Sequence, residues 1–201
     1  MSIRVVLVLL AAVSCLSGPV RGTPQQIIVY VEPAPLAWGE SRLAESLDRH
    51  LTRSAELRVR LASCGDDQTP PFPSARFDPD SLLDWGREIG GRYLLLVVVH
   101  SERLQTDKTF SVPLVVHQWE RVGVIEGEVR LLDLQRGRVL LAESFDERHR
   151  ARRLIQGDPD NSYADPGLHV PASAKQALFG ELENKLAERL VGKIKGMVRS
   201  R

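Results

Sequence analysis

Cysteine is nearly absent from this 201-residue chain, which has two, Cys15 and Cys64. If Cys15 leaves with an N-terminal leader or carries lipid, one thiol remains, and one thiol builds no internal disulfide. The fold must then be held by its core. Aromatic residues make up 5% of the sequence, so that core is aliphatic, built of Leu, Val and Ile. An excess of one charge is missing too, with 27 Lys and Arg against 26 Asp and Glu. A near-neutral chain has no electrostatic footprint for nucleic acid. Long apolar runs are also lacking. The longest, Val5–Val13, has nine residues, whereas a membrane-spanning helix needs about twenty.

Catalytic signatures are equally scarce. There is no G-x-S-x-G elbow and no phosphate-binding glycine loop. Gly86, Gly90 and Gly91 close a helix instead of opening one, so they do not form a dinucleotide fingerprint. His50, His100, His117, His149 and His169 are dispersed, and none stands at a metal-ligand spacing from Cys, Asp or Glu. Asp158-Pro159-Asp160-Asn161-Ser162 groups several oxygen ligands. A calcium loop counted from Asp158 needs Gly and Glu where Tyr163 and His169 stand, so a solvated turn is the better reading. No cofactor and no metal is expected, and no catalytic residue is assigned.

What the chain does have is an address. Arg4, the run Val5–Val13 and the small residues Ser14, Ser17, Gly18 and Pro19 form the pattern of a secretory signal. Two exits from it compete. Val20 and Gly22 suit a cut that leaves a mature chain from Thr23, with residues 1–22 removed. Ala12-Val13-Ser14-Cys15 instead matches a lipobox loosely, with residues 1–14 removed and Cys15 lipidated. Residues 23–201 then carry 25 basic and 26 acidic groups, since Arg4 and Arg21 are lost. That length suits one domain. Intact mass of the mature N-terminus decides between the two exits.

Along the mature chain, Ile27–Val31 suits a strand covered on both faces. Leu43, Leu47 and Leu51 recur every four residues within a helix expected over about Gly39–Ser54. Leu57, Val59 and Leu61 alternate with Arg58 and Arg60, which predicts a half-exposed strand near a sheet edge. A proline-rich loop with Pro70, Pro71, Pro73 and Pro79 leads to a second helix. That helix is capped by Asp80 or Ser81, carries Leu82, Trp85 and Ile89 on one face, and ends at Gly90-Gly91. Tyr93–Val99 is the strongest core signal, a strand with no solvent face. Together these elements read as a βαβαβ unit.

The second half changes character. Pro113 restricts Phe110–Val116 to an edge or an irregular link. From Ile125, apolar residues and Gly127 alternate with Glu126, Glu128 and Arg130. Asp133–Gly137 is a tight turn, and Val139–Phe145 returns antiparallel. Arg150–Pro171 lacks periodicity and is expected to be a mobile loop. A long helix from about Ser173 carries Leu178, Leu182, Leu186, Leu190 and Ile194 as the stripe that docks on the sheet. The fold class is therefore α/β. It has one domain, a βαβαβ half followed by an antiparallel hairpin, and a C-terminal helix packed on a mixed sheet.

At Gly86–Val99 (GREIGGRYLLLVVV) the chain resembles a group of bacterial envelope proteins. The group includes the curli-secretion lipoprotein CsgG, the N-terminal domain of TolB and the LpoB-type activators of penicillin-binding proteins. Its helix ending in "G-R-x-x-G" before an apolar strand is matched by Gly86, Arg87 and Gly90. Its later hairpin is matched at Asp133, Gly137 and Val139, and the helix Ala174–Val198 agrees as well. The departure lies at about Ser101–Val122, too short and charged for the membrane-inserting hairpins of curli secretion proteins.

The resemblance implies a non-enzymatic exported adaptor or scaffold that binds another periplasmic or outer-membrane protein, touching membrane only through a lipid anchor. Partner contacts are expected on Arg150, Arg152, Arg153, Leu154, Ile155 and Tyr163. Two other classes stay open: a secreted hydrolase using His100, and a carrier of a small ligand or metal.

Overall fold

A run of β-branched residues with no polar break gives β1 (Gln25–Glu32), whose middle four residues are buried. The structure, a computed structural model, describes residues 24–34, 41–62, 78–112, 116–151, 154–156 and 172–199; side chains at 106–112, 116–119 and 154–156 lie outside the description. The remaining elements are α1 (Leu43–Thr52), β2 (Leu57–Ala62), α2 (Pro79–Ile89), β3 (Tyr93–Val112), β4 (Val116–Asp133), β5 (Arg138–Arg150), β6 (Leu154–Gln156) and α3 (Ala172–Arg199). The sheet runs β2-β1-β3-β4-β5, with β6 on β4. β1 is parallel to β2 and β3, while β4 is antiparallel to β3, β5 and β6. This is a mixed α/β sheet in a single domain.

Helices cover both faces, as the apolar run of β3 requires. On one face Ile27, Val29, Tyr93, Leu95, Val97 and Val129 pack with Leu47 and Leu51 of α1 and with Leu182, Leu186 and Leu190 of α3. On the other, Ile28, Tyr30, Leu94, Leu96 and Leu132 pack with Leu82 and Trp85 of α2. The leucine ladder of α3 is thus spent on the sheet.

The residues that carry the family resemblance share one junction. Gly90 ends α2 at φ 83°, a left-handed cap that glycine takes without strain. A side chain on Gly86 would meet Leu134, its Cβ lying 2.6 Å from Cδ2. Arg87 donates from Nε to the Leu134 carbonyl at 3.1 Å. Asp133 accepts from the Arg136 amide at 3.1 Å, closing the turn before β5. The motif therefore locks the end of α2 to the tip of the β4–β5 hairpin.

Three boundaries differ from expectation. β3 and β4 extend to Val112 and back from Val116, so Phe110–Val112 belong to a long paired ribbon and not an irregular link. α2 is capped by Asp78, whose carboxylate accepts from the Ser81 amide at 3.2 Å; Asp80 and Ser81 lie inside the helix. The expected loop from Arg150 also contains structure. Arg150 closes β5, and Leu154–Gln156 pair with His117–Trp119 of β4. Ala151 bridges them, donating from its amide to the Arg121 carbonyl.

One buried carboxylate joins the two helices of the first face. α1 has no side-chain cap of its own. Glu183 of α3 supplies one, accepting from Ser41 Oγ at 2.6 Å and from the Arg42 amide at 3.0 Å. Burial pushes the Glu183 carboxyl up, against the opposing pull of those hydrogen bonds and of the Arg42 charge. A folded-state value above the unfolded one means the folded chain holds the extra proton. The stability it contributes is complete below the ordinary value of 4.5 and is lost as pH rises through the folded value. Glu183→Gln removes this dependence. Urea midpoints from about pH 4 to about pH 7 should show the wild type losing ground to the variant as pH rises. A gap that is constant or widens the other way contradicts the assignment.

Candidate functional site

The covered and uncovered parts of the sheet meet along β4. Alternation places Gly127, Val129 and Leu131 under α3, and so turns Glu126, Glu128 and Arg130 to the opposite face. Phe145 and Leu141 likewise face the core, which turns Ala142, Ser144, Asp146, Arg148 and Arg150 the other way. Among the described residues only α2 packs on that opposite face, and its core partners lie on β1, β2, β3 and the end of β4. Among the described residues the rest of that face is largely charged, half-buried on β4 and exposed on β5, with Val122 and Val124 buried toward its far end.

His100 falls where the β3–β4 register shifts, between Val99 and Ser101. Its Nε2 stands 3.1 Å from Glu128 Oε1, and Arg130 donates to the other oxygen of the same carboxylate at 3.1 Å. Burial pushes the Glu128 carboxyl up, but the hydrogen bonds and charges of Arg130 and His100 outweigh it and hold the group below its ordinary value. Beside this clamp, Ser101 donates to Glu126 Oε2 at 3.1 Å, and Arg103 grips the other oxygen. On β5, Arg148 holds Asp146 through two hydrogen bonds, which lowers the Asp146 carboxyl and raises the guanidinium.

Next to these charges lies a groove of about 360 Å³, lined by Pro79 and Leu82 of α2, Glu128, Arg130 and Leu132 of β4, and Val139, Ala142, Glu143 and Ser144 of β5. Val139 is 44% exposed, one of two large apolar side chains so open among the described residues.

In a Ser–His hydrolytic pair the hydroxyl is directed at the imidazole, which acts as its base. The Ser101 hydroxyl is directed at Glu126, and the His100 imidazole at Glu128. Glu128, clamped by two donors and held ionised, is a poor proton acceptor. Among the described residues, no three of His, Cys, Asp and Glu converge as a metal site, and no helix is long and apolar enough to cross a membrane.

The residues singled out from sequence separate. Arg150 lies on the open face, 74% exposed, with Nη1 3.8 Å from Glu120. Leu154 and Ile155 lie on β6 beside β4. Cys15, Cys64, Arg152, Arg153, Tyr163, the loop from Asp158 and His169 lie outside the described residues, as does the leader. His50 meets Asn184, and His149 bridges Glu181 and Lys185 of α3. Sequence reasoning missed the Glu126 and Glu128 clusters as clusters. The alternation showed those carboxylates as outward, but their partners depend on a register that a bulge resets.

No family model and no curated protein matches this chain. Solved structures do. The hypothetical protein CT253 of Chlamydia trachomatis superposes with a TM-score of 0.52 at 11% identity, over 89% of this chain and 100% of that one. The shared property is the fold. Bacterial lipoproteins stand at lower similarity. Lipoprotein GNA1162 of Neisseria meningitidis has a TM-score of 0.41 at 18% identity over 86% of this chain and 99% of that one. A minor lipoprotein of Acinetobacter baumannii has 0.41 at 10% identity over 87% and 92%.

Proposed function

We propose that this chain is a non-enzymatic, exported adaptor of the bacterial envelope that binds another envelope protein through the open face of its sheet. The observation that carries this reading is the groove beside Val139 and Ser144. It sets the exposed side chain of Val139 beside charges already oriented by their neighbours. Pre-oriented charges beside an exposed apolar side chain suit a protein partner, because ordering them costs little at the moment of binding. Export rests on the leader pattern at Arg4–Pro19. The surface continues along β5 to Arg150, and Arg152, Arg153, Leu154, Ile155 and Tyr163 remain proposed partner contacts from the sequence.

Ser144→Arg tests the assignment, since Ser144 is exposed and a long cation there fills the groove without entering the core. In capture from solubilised envelopes, the variant should lose about tenfold or more of the partner recovered with the wild type. Glu188→Arg, on an exposed turn of α3, should keep it. Equal recovery by both variants contradicts the reading, and so does loss of a measured hydrolytic activity on His100→Ala.

A further inference from the structure

The opposite edge of the sheet carries a second feature, in the backbone of β2. Among the described residues β2 pairs only with β1. The Gln25 amide donates to the Glu56 carbonyl at 2.8 Å, and Gln25 stands opposite Leu57. In a parallel ladder this fixes the parity. Glu56, Arg58 and Arg60 turn their backbone groups toward β1, whereas Val59 and Leu61 turn theirs outward. Unpaired edge groups of this kind are a template for an added strand.

The side chains make the edge selective. Leu57 is buried and Val59 half-buried on the α1 side, and Leu61 on that side is 41% exposed. Leu61 forms one wall of a groove of about 530 Å³, whose other wall is Glu45, Asp48, Arg49, Thr52 and Arg53 of α1. The α2 side of the strand presents Arg58, exposed, and Arg60, which donates to the Ile89 carbonyl. Along the strand itself, one side thus offers the aliphatic side chains of Val59 and Leu61, with the mixed-charge wall of α1 beyond them, and the other side is cationic.

We infer that the β2 edge accepts an extended segment of a partner protein in which acidic and apolar residues alternate. Added as a strand, such a segment lays its apolar side chains along Val59 and Leu61 and its carboxylates along Arg58 and Arg60. Main-chain bonds supply affinity, and the alternating side chains supply selectivity. A second copy of this chain is a poor occupant. Its β2 would bring Arg58 and Arg60 against the same two arginines, and like charges across a pair are destabilising. The inference rests on the adaptor reading for its setting but uses the other edge of the sheet. Failure of either test therefore leaves the other result standing.

Val59→Pro removes the outward amide, which pairs with nothing in β2–β1, and an edge strand tolerates proline at such a position. The probe is a fluorescein-labelled ten-residue peptide alternating Glu and Val, read by anisotropy, with the Lys and Val counterpart as control. The wild type should bind the acidic peptide and not the basic one. Val59→Pro should weaken binding about tenfold or more at an unchanged urea midpoint. Should that variant unfold, Arg58→Glu, at an exposed side chain, reads the same edge and should reverse the preference between peptides. The inference is overturned if the wild type binds neither peptide or both equally. It is also overturned if a folded Val59→Pro binds as the wild type does, if Arg58→Glu leaves the preference unchanged, or if the edge is closed by self-association that Val59→Pro abolishes.

Discussion

Gly127→Ala should destabilise the fold by about 3 kcal/mol or more, at the upper end of what overpacking costs. A Cβ at this position would lie 2.2 Å from the Val98 carbonyl oxygen and 2.6 Å from Cζ of Phe145. The first of these is backbone within the central strand and cannot rotate away. The second is a ring laid over the glycine from the paired residue of β5, the arrangement by which an aromatic covers a bare strand position. Against a typical stability of about 5–15 kcal/mol, such a loss lowers Tm by roughly 6–12 °C for a domain of this size. Gly180→Ala supplies the internal comparison. Its Cβ meets nothing within 4 Å, and alanine is favoured in a helix by up to about 1 kcal/mol. The two substitutions should therefore move Tm in opposite directions.

Leu186→Ala should cost about 2–5 kcal/mol, the range for deleting a buried leucine in a core that relaxes incompletely. Leu186 is fully buried at the centre of the α3 stripe, with Leu182 and Leu190 one turn away on either side and equally inaccessible. The change should appear as a lower urea midpoint with retained helical signal at low denaturant. Glu188→Ala, two residues on and exposed, should stay within about 0.5 kcal/mol of the wild type. A small effect at Leu186 would mean that the stripe faces a partner and not its own sheet.

Those two sites also mark where the sequence was readable. The stripe Leu178–Ile194 and the run Tyr93–Val99 announce themselves because burial imposes one period on each, and the sheet and helices follow from them. Asp133–Gly137 was readable for a different reason. A turn with φ 61° at Gly137 needs glycine chemistry that is local in sequence. By contrast, the outer halves of β3 and β4 carry polar residues such as Glu102, Arg103 and Arg121, so no hydrophobic alternation reports their pairing. Leu154–Gln156 are too few for any period to show. The open face failed to resolve for a related reason. Glu126 and Glu128 were legible as outward, but Arg103, Ser101 and His100 reach them only through the bulge after Val99, which no local pattern encodes.

The central claim is that the open face beside Ser144 is the working surface of an exported adaptor. It is tested most directly by site-specific photo-crosslinking in intact cells, with the photoreactive residue at Ser144 or, as comparison, at Glu188 on the outer side of α3. A discrete higher-mass adduct from Ser144, confined to the envelope fraction and absent from Glu188, is the predicted result. No adduct from Ser144, or the same adducts from both positions, contradicts it.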